Sequence, residues 1–226
     1  MCNKTHIFCV LLAVACVTCT GLGAGAQDAA MSIDIGTNEI GAPPAGFDLP
    51  PLGYGKQGRW TVVRDATVKA GLAIEQAGIQ TTEDRFSLAI YKPASLKNSE
   101  TSLRLNAAGG KSDQGGGVAV RLRSPQNYYL VRLDALRDRV LFSRVSNGAS
   151  EEIVGVDADI ALHSWHTLTI RAKDDEFVVL LDGIWMFTAF DKTLSQAGRI
   201  ALWTEGDSVT RFDSIAITPL PTEERY

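Results

Sequence analysis

The sequence predicts an all-β fold in which two antiparallel sheets pack into a sandwich. Three observations carry that expectation. About a dozen short apolar-rich runs recur at spacings near ten residues, each bounded by turn-prone residues. Asn147-Gly148 and Asp182-Gly183 sit between such runs, and these pairs supply the positive φ that tight hairpins need. Phe177 to Leu181 is apolar at every position, as expected of a strand covered on both faces. No helical periodicity extends beyond about three turns; Asp191 to Gln196 would form one short turn at most.

Taken in order, the chain opens with Lys4, the apolar run Ile7 to Val17 and small residues ending Ala24-Gly25-Ala26. This is a secretory leader with an A-x-A cleavage site, so residues 1–26 are expected to be removed and the protein to be secreted or periplasmic. Acylation at Cys16 or Cys19 is the alternative, which would make a lipid-anchored lipoprotein. All four cysteines lie in that leader, so a cleaved chain has no disulfide, thiol nucleophile or thiolate metal site. No later window approaches the roughly 20 apolar residues of a membrane helix. Loss of Lys4 takes the formal charge from −4 to −5, which gives no reason to bind nucleic acid or an anionic membrane.

Residues 27–57, which include GAPPAGFDLPPLGYG, read as an extended Gly/Pro-rich arm. The domain proper spans 58–218, with 219–226 as a tail. WTVVRD, LAIEQAG and DRFSLAIYK are its first strands. Ser102 to Asn106 alternates, with Leu103 and Leu105 inward and Arg104 outward. AAGGKSDQGGG reads as a long, mobile surface connection rather than a phosphate loop.

Gly116 to Val145 then reads as three consecutive antiparallel strands. Val118, Val120, Leu122, Tyr129, Val131 and Leu133 point to a core, whereas Arg121, Arg123, Tyr128, Arg132 and Asp134 look outward. EEIVGV, TLTIRA, EFVVLL, IWMF, GRIALW and VTRFDSIAI complete the strand set, with a turn at Lys173-Asp174-Asp175.

The runs NYYLVRLDALRDRVLFSRVSNG, SWHTLTIRAKDDEFVVLLDG and AGRIALWTEGDSVTRFDSIAI resemble the concanavalin A-like jelly-roll domains of secreted bacterial proteins. The likeness spans about Arg59 to Thr218 and is nearest to the 3-keto-disaccharide hydrolase-type and laminin-G-like domains. It implies a curved jelly roll whose concave sheet receives carbohydrate. It also implies a structural calcium ion that ties the last strand to the N-terminal segment, with Asp213 and Asp48 as ligands; otherwise Asp213 caps a turn or pairs with Arg211 or Arg199. No other cofactor is required. The E-x-D-x-x-E strand of laminarinase-type enzymes is absent.

Arg104, Arg121, Tyr128, Arg132, Asp134 and Trp203 are the candidate ligand-binding residues. Guanidinium and carboxylate groups hydrogen-bond sugar hydroxyls, and Trp203 would stack on a pyranose face. The competing reading is a solvated sheet face with cross-strand ion pairs. His163 and His166 have H-x-x-H spacing, but on a strand positions three apart face opposite ways, which favours a structural role over a metal. Trp185, Met186 and Phe187 are expected in the core rather than at an exposed binding edge. The expected function is a monomeric, lectin-like module binding an oligo- or polysaccharide. The alternatives are a hydrolase or lyase of 3-keto-glycosides, and a structural or adhesion module that binds protein.

Overall fold

A computed structural model describes residues 30–52, 59–78 and 86–221. The leader and its cysteines lie outside the described residues. Fifteen strands follow in chain order: β1 (Met31–Ser32), β2 (Phe47–Asp48), β3 (Arg59–Arg64), β4 (Leu72–Ala77), β5 (Phe86–Leu96), β6 (Ser99–Gly109), β7 (Gly115–Ser124), β8 (Asn127–Asp134), β9 (Arg139–Ser146), β10 (Ala149–Asp157), β11 (Trp165–Lys173), β12 (Glu176–Leu181), β13 (Ile184–Phe190), β14 (Gly198–Glu205) and β15 (Val209–Pro219). No helix occurs among the described residues.

The strands form two antiparallel sheets. One has eight strands in the order β13-β12-β11-β6-β15-β4-β3, with β1 also paired to β15. The other has seven, in the order β10-β9-β8-β7-β14-β5-β2. The predicted strands of Gly116 to Val145 are β7, β8 and β9, adjacent in the second sheet. The arm touches both sheets: β1 pairs with β15 on one and β2 with β5 on the other.

Local chemistry explains the hairpins. Asp138, Asn147, Asp174 and Asp182 all have φ near +50°, where Asp and Asn are better tolerated than other side chains; Gly148 and Gly183 follow two of them. Between the sheets, alternate residues of each strand make one core. Tyr129, Phe142 and Phe177 meet at its centre with ring centroids 4.5 to 5.6 Å apart. Such pairs add about 0.5–1.5 kcal/mol beyond burial.

Three expectations change. β12 is not covered on both faces: Phe177, Val179 and Leu181 are buried, while Val178 and Leu180 are half-exposed on the outer side, because β12 lies next to the edge strand β13. On that edge, Trp185 is 62% exposed, whereas Phe187 enters the core. The glycine-rich connection is also short. β6 runs to Gly109 and β7 starts at Gly115, because the Asp207 carboxylate accepts the backbone N–H groups of Lys111, Ser112 and Asp113.

Candidate functional site

The outer face of the seven-stranded sheet carries a second apolar cluster, distinct from the core. It comprises Leu88, Ile90, Ala119, Leu122, Tyr128, Leu130, Val145, Ala201 and Trp203, with Leu52 of the arm and Phe86 packed against it. Gly117 and Ala119 of β7 and Ala201 of β14 present almost no side chain on this face, so larger neighbours lean across them. Phe86 on β5 and Tyr128 on β8 are three strand spacings apart, about 14 Å on a flat sheet. Their rings nonetheless approach to 6.2 Å, and Phe86 stacks on Trp203 at 6.3 Å. Burial pushes the Tyr128 phenol up to about 12. Among the described residues, the Trp203 indole beside it has no acceptor in hydrogen-bonding geometry for its Nε1.

At the Asp134 end of β8 the same face becomes polar. Period-two alternation carries Tyr128, Leu130, Arg132 and Asp134 down one side of β8, and Trp203 and Glu205 down one side of β14. The Arg132 guanidinium lies 5.8 Å from the Trp203 ring centre, bonds Glu205, and sits 3.8 Å from Asp134. Asp134 accepts a further bond from Arg137 at 2.8 Å. Asp113, Gln114 and Gly115, delivered by the Asp207-anchored connection, close a small cleft with Arg132, Asp134 and Glu205.

Two carboxyls in this cleft titrate above their ordinary range. Burial raises Glu205 in spite of Arg132, and the charges of Asp113 and Asp134 act in the same direction. Burial also raises Asp113, with Asp207 and Asp134 adding to the effect against Arg137 and Arg132.

Of the residues expected at a ligand face, Arg132, Asp134, Tyr128 and Trp203 share this surface. Tyr128 and Trp203 are nonetheless 1% and 6% exposed, so the Trp203 ring offers no free face for stacking. Arg121 is not part of the surface. It has φ +51° at a register shift in β7 and lies inside the protein, 4.9 Å from the Phe177 ring. There it donates to the carbonyls of Lys97, Leu194 and Asp174. Arg104 belongs to the other sheet, where it bonds Asp213 at 3.3 Å and covers Trp165. Asp48 and Asp213 are not brought together for a cation: Asp48 pairs with Arg199 and Lys92 on β2, and Asp213 with Arg104 on β15. His166 lies 2.8 Å from Asp182 and 3.2 Å from the Ala161 carbonyl.

Sequence reasoning missed Glu205, Asp113, Gln114 and Arg137. Glu205 was legible, being two residues beyond Trp203 on the same strand. Asp113 was not, because only the Asp207 anchor brings its connection to the sheet end.

No family model and no curated protein matches the chain. Solved structures do. A carbohydrate-binding module of Bacillus subtilis is 22% identical, with a TM-score of 0.61 over 76% of this chain and 95% of that one. A prokaryotic β-1,3-1,4-glucanase (lichenase) derived from a mouse hindgut metagenome is 12% identical, with a TM-score of 0.57 over 84% and 99%. A Bacillus licheniformis β-glucanase gives 12% and 0.56 over 85% and 98%. With its two antiparallel sheets, the chain has the concanavalin A-like jelly-roll fold of these proteins.

Proposed function

We propose that the protein binds an oligo- or polysaccharide outside the cytoplasm, at the polar end of the seven-stranded sheet's outer face. One observation carries the reading: Arg132 is held in place between Glu205 and Asp134 over the Trp203 ring, in a cleft that also presents Asp113 and Gln114. Such a set of donors and acceptors, fixed by its own ion pairs, can bind sugar hydroxyls without first being ordered. The named partners of similarly folded proteins, a carbohydrate-binding module and two glucanases, are of the same chemical class.

The test is retention of the chain from Gln27 on a panel of plant, fungal and bacterial polysaccharides. Arg132→Ala is expected to weaken retention at least about tenfold, the scale of a lost charge-assisted contact, and also to lower Tm because Asp134 and Glu205 lose their shared cation, so retention is read well below the Tm of the variant. Retention that is unaffected by Arg132→Ala would reject the site.

A second reading, hydrolysis of a glycoside, is favoured by the raised Glu205 and Asp113 carboxyls, since a carboxyl that holds its proton above its ordinary range is better suited to donate it to a leaving oxygen. Asp134, by contrast, is held between Arg132 and Arg137 and is better suited to orienting them than to acting as the acid. Released product from 3-keto-glycosides or polysaccharides, abolished by Glu205→Gln with binding retained, would establish catalysis. Turnover unchanged in that variant would exclude Glu205 as the acid.

A further inference from the structure

Two open sheets have four edges between them, and three of the four are guarded. The arm covers β3: Val62 donates to the Ala42 carbonyl at 2.9 Å, and its own carbonyl accepts the Gly41 N–H at 2.8 Å. On the seven-stranded sheet, β2 is only two residues long, and β5 behind it carries Lys92 and Pro93. β10, the other edge of that sheet, carries Glu151, Glu152 and Asp157 and a register shift at Ile153. Charges, prolines, bulges and covering segments are the means by which strand edges avoid pairing with other chains. β13 has neither charge nor proline, and among the described residues no backbone pairs with its outer side.

The pleat decides what this edge presents. Phe187 pairs with Val179 and Trp185 with Leu180, so Met186 is the extra residue of a bulge. Trp185, Thr188 and Phe190 therefore share the outer side of the sheet with Leu180 and Val178, while Phe187 and Ala189 face the core. The indole is oriented by a bond from its Nε1 to Thr188 Oγ1 at 3.2 Å, and Trp185 and Phe190 are 62% and 67% exposed. Laid antiparallel on a second β13 about Thr188, the strand matches itself. Phe190 of each copy meets the Trp185-Met186 step of the other, and Phe187 meets Ala189 on the core side, so aromatic faces aromatic and large faces small. Just beyond the strand, the exposed Lys192 comes beside Asp182 of the second copy. On β10, across the sandwich, Glu151 and Glu152 are already paired with Arg144 and Arg139.

We propose that β13 is the interface of a twofold homodimer in which two eight-stranded sheets join edge to edge. The strands supply backbone hydrogen bonds and the outer aromatic pairs supply burial. Four rings of ~150–250 Å² each, about two-thirds exposed, would bury on the order of 500 Å². With two Ile184 side chains and the paired backbones, the contact approaches the ~1,000 Å² at which specific interfaces begin, so a dissociation constant in the micromolar range is expected. The twofold axis of such a dimer runs through the sheets, so both Arg132 clefts turn the same way and a polysaccharide would be held at two points. That consequence rests on the glycan-binding reading; the dimer does not.

The experiment is sedimentation velocity of the chain from Gln27, without sugar, from about 1 to 300 μM. The mass is expected to rise from one copy to two and stop there, because a twofold contact closes on itself. Trp185→Lys and Phe190→Glu should each weaken the dimer at least about tenfold while keeping the urea midpoint of the native monomer. An equimolar mixture of the two variants should recover pairing. The new lysine and the new glutamate meet on one side of the axis, and the other side keeps its native Trp185 and Phe190. A mass that never exceeds one copy overturns the inference and leaves this edge to an extended segment of another protein. A mass that grows past two copies, a dimer indifferent to both substitutions, or a mixture no better paired than its components overturns it as well. None of these outcomes bears on the glycan-binding reading, which the retention assay decides.

Discussion

Arg121 and Arg132 lie on neighbouring strands and look equivalent in an alternating pattern, yet one is a tie inside the protein and the other faces the cleft. Arg121 spends its guanidinium on three backbone carbonyls from separate turns, Lys97, Asp174 and Leu194. Arg121→Ala would leave those acceptors unmet in a buried place and should cost at least about 3 kcal/mol in urea denaturation. A loss below about 1 kcal/mol would show that water replaces the guanidinium. The sequence concealed this because period-two alternation presumes an unbroken ladder, and β7 takes a left-handed residue at Arg121. Asp113 carries a prediction of opposite sign. Its carboxyl is raised in the folded protein, so the native state holds that proton more tightly than the unfolded chain does. Stability from this group is therefore present at low pH and declines as pH rises through the raised value. Asp113→Asn should increase Tm at pH 7 and have no effect near pH 3, as read by calorimetry.

At the scale of elements, the hairpins were the most legible features. Asn147-Gly148 and Asp182-Gly183 turn where their backbone preferences require. The connection before β7 was misread because glycine content suggests mobility, whereas Asp207, some 90 residues later, gathers three of its N–H groups. Burial pushes the Asp207 carboxyl up, but those N–H groups more than offset it and hold it below the ordinary range. β13 was misread for another reason. An apolar run is indistinguishable in sequence whether it faces a core or forms an edge, and topology alone puts β13 at the end of its sheet. Ile184, Trp185 and Phe190 are each more than 60% exposed there, on a strand with no charge or proline to guard its edge. Trp185→Lys should leave stability within about 0.5 kcal/mol. It should also raise the concentration at which light scattering first detects association; an unchanged onset would clear β13 of that tendency.

For the whole molecule, the strand set and two-sheet packing were readable because each run had to hide one face, and two such faces can hide each other. The assignment of strands to sheets was less readable, since neighbours such as β6 and β15 are about a hundred residues apart in the chain. That is why Arg104 and Arg132, both outward, end on opposite sides of the sandwich. Acid should unfold the molecule in spite of Asp113. Asp65, Asp174, Asp191 and Asp207 all titrate below the ordinary range, through hydrogen bonds and cations that outweigh burial where burial opposes them. Groups with depressed folded values stabilise above the unfolded value and lose that contribution as pH falls through the folded one. Tm is expected to fall steeply below about pH 4. A Tm that is flat from pH 5 to pH 2.5 would contradict this balance.

The strip of Gly117, Ala119 and Ala201 beneath the aromatic side chains makes no polar contact, yet it sets how deeply they settle onto the sheet. A larger side chain at Ala119 or Ala201 would lift the aromatic layer and reshape the approach to the cleft, whereas a side chain at Gly117 would run into the Val131 carbonyl and, at 2.7 Å, the Arg132 Cα, and so move the strand that carries Arg132. Layer depth can thus change at the two alanines with no charged residue of the rim altered, whereas Gly117 ties that depth to the strand on which the rim is built.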